Sequence, residues 1–234
     1  MTSVLAFSSS RTGNGKYLEN ALPVIDEFLG DQPLTIAFIP FASVDSYEDY
    51  AQKVSEGLLV LPHTIKLVTP KSAKEVVQSS DVIMVGGGNT FKLLHDLYAL
   101  DLVEDIKTKV QNGTPYIGWS AGSNLTGPTI YTTNDMPILE PKSFVSFGFF
   151  PFQLNPHYHN IVLEGFHGET RDQRLEEYLK ANPGKTIMAL PEGTYLQLQN
   201  NQTRFDGIAQ GVLMSREEGQ TVHRIIHPGT LLND

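Results

Sequence analysis

The stretch DVIMVGGGNTFKLL, Asp81 to Leu94, packs a strand, a loop and the start of a helix into one short run. DVIMVGG (81–87) reads as a strand of the kind buried on both faces of a parallel sheet. Three glycines end it, and Asn89 or Thr90 can cap a helix whose first apolar residues are Phe91, Leu93 and Leu94. The same alternation extends to either side. SVLAF (3–7), LTIAFIPF (34–41), TIKLV (64–68) and PYIGW (115–119) read as further strands buried on both faces. Between them YLENALPVIDEFL (17–29), SYEDYAQKVSEGLL (46–59), SAKEVVQS (72–79) and TFKLLHDLYALDLVEDIKTKVQ (90–111) have helical spacing.

Strands alternating with helices predict an α/β fold, with a doubly wound, mostly parallel central sheet flanked by helices. Ligands in such sheets sit beyond the carboxyl ends of the strands. Ser8–Ser10, Phe41–Val44, Gly86–Asn89 and Ser120–Asn124 therefore share one functional edge. After about residue 128 the pattern changes. PTIYTT (128–133), FVSFGFF (144–150), MALPEGTYLQLQ (188–199), RFDGIAQGVLMS (204–215) and TVHRIIHPG (221–229) read as strands or hairpins, with one helix at TRDQRLEEYLKAN (170–182). With no repeat or linker in view, residues 1–234 are expected to form a single catalytic domain with a strand-rich C-terminal extension.

Composition narrows the function classes. A net charge of −9 argues against a general nucleic-acid or anionic-membrane surface. The absence of cysteine excludes disulfides, thiolate catalysis and cysteine-ligated metals. MTSVLAFSSS carries no basic leader, and FVSFGFFPF is broken by Gly148 and Pro151, so neither secretion nor a membrane span is expected. The expectation is a cytoplasmic protein, monomeric or homodimeric, with no cofactor.

GWSAG (118–122) has the form G-x-S-x-G. In a nucleophile elbow, small neighbours allow the sharp strand-to-helix turn that presents the serine, and the next amide faces the reacting oxygen. Ser120 is thus a candidate nucleophile and the Ala121 N–H a candidate oxyanion donor; the alternative is a plain glycine-rich turn. The VGGGNT loop offers exposed N–H groups for an anion, chiefly Gly88 with Asn89 and Thr90 beside it. Neither phosphate-loop pattern is present, which favours an oxyanion over a nucleotide.

A serine hydroxyl needs a base. His63 and His95 lie in strand and helix patterns and read as structural, whereas His157 and His159 sit in LNPHYHN, where Pro156 ends a strand. One of that pair fits a general base, with His167 next; as an H-x-H pair they could instead bind a metal, but no third ligand is evident. Asp135 in TTNDMP and Glu192 in ALPEGT could each orient the imidazole. Thr170 and Gln173 form a T-x-x-Q capping box that sets Arg171 at the first helical position, against the macrodipole. Something anionic must offset that cation: Glu169, Asp172, or a carboxylate substrate.

GGGNTF, GWSAGSN, TTNDMPI, NPHY and GETRDQR, in that order, resemble the peptidase E family of α-aspartyl dipeptidases, over most of the chain. The resemblance implies a fold similar to class I glutamine amidotransferases, cleavage of Asp-X dipeptides and no metal. It also implies Ser120 as nucleophile, His157 as base, either Asp135 or Glu192 as the third member, Gly88 and Ala121 N–H as the oxyanion hole, and Arg171 on the aspartyl side chain. Tyr158 is a departure, at a position where the family often has phenylalanine. An esterase or cyanophycinase-like enzyme of the same fold, and a non-catalytic anion-binding protein, are the alternatives.

Overall fold

The computed structural model describes residues 1–162, 164, 165 and 167–232. The first half runs β1 (Val4–Phe7), α1 (Leu22–Leu29), β2 (Thr35–Ile39), α2 (Tyr47–Gly57), β3 (Thr64–Leu67), α3 (Ala73–Ser79), β4 (Val82–Val85), α4 (Thr90–Ala99), α5 (Val103–Gln111), β5 (Tyr116–Trp119) and the short α6 (Ala121–Asn124). The second half runs β6 (Gln153–Pro156), α7 (Arg171–Ala181), β7 (Ile187–Leu190), β8 (Thr194–Gln199), β9 (Gln202–Gly207), β10 (Gly211–Glu217), β11 (Gln220–Ile226) and β12 (Thr230–Leu232).

Eight strands form the main sheet in the order β12-β9-β8-β1-β5-β4-β2-β3. The pairs from β1 to β3 are parallel, and β8, β9 and β12 extend that sheet antiparallel. The remaining strands form a second sheet, β11-β10-β7-β6, in which only β6 and β7 are parallel. The predicted doubly wound α/β class and the strand-rich extension are both present.

Alternation along the strands sorts the core into two faces. Val4, Ala6, Ala37, Ile39, Ile83 and Val85 pack with Leu93, Leu97, Ile106 and Val110 of α4 and α5. Leu5, Phe7, Ile36, Phe38, Met84 and Trp119 pack with Ile25 of α1 and Val54 of α2. Each fully buried aliphatic or aromatic side chain contributes about 1.5–3 kcal/mol, so both faces must be covered.

Several expected elements differ. The helix predicted over 90–111 is two helices. Asp101, at φ 54°, turns the chain between them, and the Leu102 N–H reaches back to the Leu97 carbonyl at 2.8 Å. The turn lets Val103, Ile106 and Val110 lay a second apolar stripe on the sheet. β3 is an edge strand with alternating exposure, not one buried on both faces. PTIYTT and FVSFGFF form no strands and share only an isolated bridge, Thr129 to Val145. Phe147 and Phe150 are nonetheless buried, so their apolar run serves packing rather than pairing. MALPEGTYLQLQ divides at Pro191–Gly193 into β7 of the second sheet and β8 of the first, which lifts Glu192 to the junction of the two. Among the described residues no helix is long and apolar enough to cross a membrane.

Candidate active site

The carboxyl ends of β1, β4, β5, β6 and β7 converge, and each delivers polar groups. Ser120 follows β5 at φ 54°, ψ −112°, a conformation that costs a non-glycine residue of order 1–3 kcal/mol. It is held there from both sides. Its N–H donates to the Phe7 carbonyl at 3.1 Å, and its carbonyl accepts from the Ser123 and Asn124 amides at 3.0 and 2.9 Å. Gly122 is obligatory, because a Cβ there would lie 2.3 Å from the Val85 carbonyl oxygen.

His157 is the first residue after β6 and also has positive φ, 52°. Its Nε2 lies 2.9 Å from Ser120 Oγ, and its Nδ1 lies 2.9 Å from Glu192 Oε1. With the Nδ1–H donating to the carboxylate, Nε2 is left as an acceptor aimed at the hydroxyl. Such a relay can take the serine proton and stabilise the imidazolium that results.

The two carboxylates left open by the sequence are separated by the geometry. Glu192 reaches His157, whereas Asp135 Oδ2 accepts from the Thr90 amide at 2.7 Å and the Thr133 hydroxyl at 3.2 Å. Asp135 thereby places negative charge at the N-terminus of α4, where the macrodipole favours it.

Gly88 sits at φ 137°, with its Cα so near β2's outgoing loop that a Cβ would lie 2.3 Å from the Ala42 carbonyl oxygen. Among the described residues neither the Gly88 nor the Ala121 N–H donates a hydrogen bond. Two unspent amides beside one hydroxyl are what an oxyanion requires. Asn89 caps α4 by accepting from the Lys92 amide at 3.0 Å, and its Nδ2 donates to the Met136 carbonyl at 2.8 Å. Thr90, the other residue expected beside the substrate, is set back behind the loop. It is fully buried and lines neither cavity at Ser120; its hydroxyl accepts from Asn124 Nδ2 at 3.2 Å and lies 3.0 Å from the Thr133 hydroxyl, whose own proton goes to Asp135.

Two cavities meet at Ser120 and His157. One, of about 570 Å³, is bounded by Asp135, Tyr158, His159, Arg171 and Glu192. The other, of about 660 Å³, is bounded by Tyr17, Asp45, Asp49, Tyr50, Lys53 and Gly88. His159 lies on the first wall, and among the described residues no cluster of three or more His, Asp or Glu is arranged to hold a metal ion.

The capping box is present: Thr170 Oγ1 accepts from the Gln173 amide at 3.3 Å and the Gln173 side chain accepts from the Thr170 amide at 2.8 Å. It fixes Arg171 at the start of α7, half-buried, where burial first and the charge of Arg174 second push its guanidinium below the ordinary range. Neither expected acidic neighbour offsets it. Asp172 accepts from Tyr158 Oη at 2.7 Å and Asn160 Nδ2 at 2.6 Å, and Glu169 lies 3.8 Å from Arg174. Among the described residues no carboxylate lies within 4.0 Å of Arg171, whose guanidinium donates to Asn155 Oδ1 at 3.5 Å.

Sequence reasoning set Ser8 on the functional edge without a role. Its buried hydroxyl donates to the Leu190 carbonyl at 2.7 Å and accepts the His157 amide at 2.9 Å. Tyr50 was missed altogether, because nothing in a helical pattern marks which aromatic will reach a loop.

A family model for peptidase family S51 matches residues 4–205. The chain belongs to peptidase family S51. Among relatives, peptidase E of a Nostoc species is 46% identical over 206 residues, covering 87% of this chain and 85% of that protein. Peptidase E of Haemophilus influenzae is 45% identical over 203 residues, covering 86% and 93%. The solved structure of a peptidase from an acI-B1 Actinobacterium superposes with a TM-score of 0.70 at 17% identity, covering 100% of this chain and 97% of that one. At that identity the likeness shows the shared fold. Membership of S51, with relatives of this closeness, makes the chain a serine-type dipeptidase.

Proposed function

We propose that the chain, acting as one catalytic domain, hydrolyses dipeptides with an amino-terminal aspartate through an acyl-enzyme on Ser120. The observation that carries the substrate class is Arg171, a half-buried cation without an ion-pair partner among the described residues, in the cavity it shares with Ser120 and His157. A guanidinium fork in that position matches a carboxylate bidentately. The names of the relatives, peptidase E, support the same reading.

In this reading Ser120 Oγ attacks the carbonyl carbon of the aspartyl residue while His157 Nε2 takes its proton. Glu192 holds the imidazole in the productive tautomer and offsets the charge that forms on it. The Gly88 and Ala121 N–H groups receive the oxyanion. His157 then gives its proton to the leaving amine, and water, deprotonated by the same nitrogen, releases aspartate from the serine ester.

The test is a panel of Asp-X, Glu-X and Ala-X dipeptides, a polymeric aspartyl substrate and simple esters, with the wild type beside Ser120→Ala. The wild type should prefer Asp-X, and Ser120→Ala should lose on the order of 10³-fold or more in kcat. Full activity in Ser120→Ala would end the mechanism. Saturable binding without turnover would favour an anion-binding protein instead, and preference for esters or polymer would favour another hydrolase of this fold.

A further inference from the structure

Gly87 and Gly88 form the turn that would present an oxyanion donor, yet glycine backbone is the least able to hold a direction by itself. Something must orient that peptide. Its carbonyl is the only polar group it offers to the body of the protein, and that carbonyl accepts from Tyr50 Oη at 3.1 Å. The peptide is trans, so the Gly87 carbonyl and the Gly88 N–H point to opposite sides of one plane. Anchoring the oxygen therefore aims the N–H.

The phenol's own orientation is dictated by its neighbours. Trp119 Nε1 can only donate, and it lies 3.1 Å from Tyr50 Oη. The Gly87 carbonyl can only accept, so the single Tyr50 proton must go to Gly87. Tyr17 Oη, 3.3 Å away, fills the remaining lone pair as a donor. Glycine makes the approach possible: a Cβ on Gly86 would fall 2.6 Å from the Tyr50 hydroxyl. On the far side, a Cβ on Gly87 would fall 2.9 Å from the Ser120 Cβ, so the turn is pressed between the phenol and the serine. Trp119 is joined directly to Ser120. One hydroxyl thus ties the Gly87–Gly88 peptide to the strand end that carries Ser120 and Ala121.

We infer that Tyr50 is a positioning residue for catalysis, whose hydroxyl locks the Gly87–Gly88 peptide so that the Gly88 N–H faces the oxyanion formed at Ser120. The inference rests on the reading of Ser120 and Gly88 given above. Burial pushes the phenol of Tyr50 above its ordinary value, so the lock keeps its proton across the working range.

Tyr50→Phe keeps the ring against Phe38, whose centroid is 5.0 Å away, and removes only the hydroxyl. Losing one oxyanion donor outright costs about 10²–10³-fold in kcat, and loosening one should cost roughly 10- to 100-fold. The expected result on Asp-X is that fall in kcat, with a parallel fall in the rate at which a fluorophosphonate phosphonylates Ser120. The inhibition constant of free L-aspartate, which forms no oxyanion, should stay within about twofold, and Tm within a few degrees. An unchanged kcat would overturn the inference, as would equal losses of kcat and L-aspartate affinity with a lowered Tm, which would mark a general structural role. A wild type inactive on Asp-X, or an active Ser120→Ala, would instead overturn the underlying reaction, so the two failures are told apart.

Discussion

The buried hydroxyl of Ser8 accepts the backbone N–H of His157 at 2.9 Å and donates to the Leu190 carbonyl at 2.7 Å. It joins the ends of β1, β6 and β7 at one atom. His157 sits at φ 52°, a conformation held by its surroundings rather than by its own preference. Ser8→Ala leaves the His157 amide unsatisfied, a cost of about 1–3 kcal/mol. We expect a lower Tm together with a lower kcat on Asp-X and an unchanged substrate preference. A variant that lost stability while keeping full kcat would show that His157 needs no such anchor.

Glu192 and Asp135 should separate by what they damage. Side-chain exposure is 53% for Glu192 and 41% for His157, so water can partly replace the carboxylate. Glu192→Ala is therefore expected to lower kcat by about 10- to 100-fold, less than the ~10⁴-fold seen for a buried triad carboxylate. Asp135→Ala removes the acceptor of the Thr90 amide at the start of α4, worth about 1 kcal/mol, or roughly 2–4 °C in Tm for a chain of this size. Steady-state kinetics and thermal unfolding of both variants check the assignment, and a larger kcat loss in Asp135→Ala would reverse it.

Arg171→Ala should lower kcat/KM for Asp-X. Loss of one partner from a desolvated charge pair costs about 2–5 kcal/mol, at least roughly 30-fold. The ratio of Asp-Leu to Ala-Leu hydrolysis should shrink with it. Arg171→Lys is expected to restore little, because an ammonium cannot make the planar two-point contact. An unchanged ratio in either variant would take Arg171 out of substrate selection.

His63 tests pH dependence away from the site. Both ring nitrogens are shut off from solvent without a hydrogen-bond partner among the described residues, and burial holds its pKa below the ordinary histidine value, with Asp26 opposing. A depressed folded-state pKa means that the unfolded chain takes up the proton first as pH falls. The stability of the neutral form is present above the ordinary value near 6.5 and is lost as pH falls through the folded-state value. Thermal unfolding between pH 7.5 and about 5 should show a shallower fall in Tm for His63→Leu than for the wild type. Equal slopes would mean that His63 does not contribute.

Much of the fold was legible because its signals are local. Apolar runs in β1, β2, β4 and β5, glycines at their ends and the Thr170–Gln173 box each depend on neighbours within a few residues. The misreadings came where a local pattern was overruled by packing. Asp101 interrupts a continuous helical periodicity because two short helices cover the sheet better than one long one. FVSFGFF has strand composition, but its phenylalanines are used to fill a core beneath a loop. Pro191 to Gly193 separates strands of two different sheets, a distinction invisible to a pattern read along one chain.

The sequence by itself determined the α/β class, the glycine-flanked turn at Ser120 and the cation of Arg171 at the first position of a capped helix. Each follows from residue types at short spacing, where backbone sterics and the helix dipole act directly. Only the tertiary structure puts Glu192 rather than Asp135 against the His157 imidazole, buries Thr90, and bonds Ser8 to the His157 amide and Tyr50 to the Gly87 carbonyl. Those contacts span from 35 to 149 residues of chain. A hydrogen bond is made or lost over a few tenths of an ångström, and at such separations that distance is set by how the sheets and helices pack.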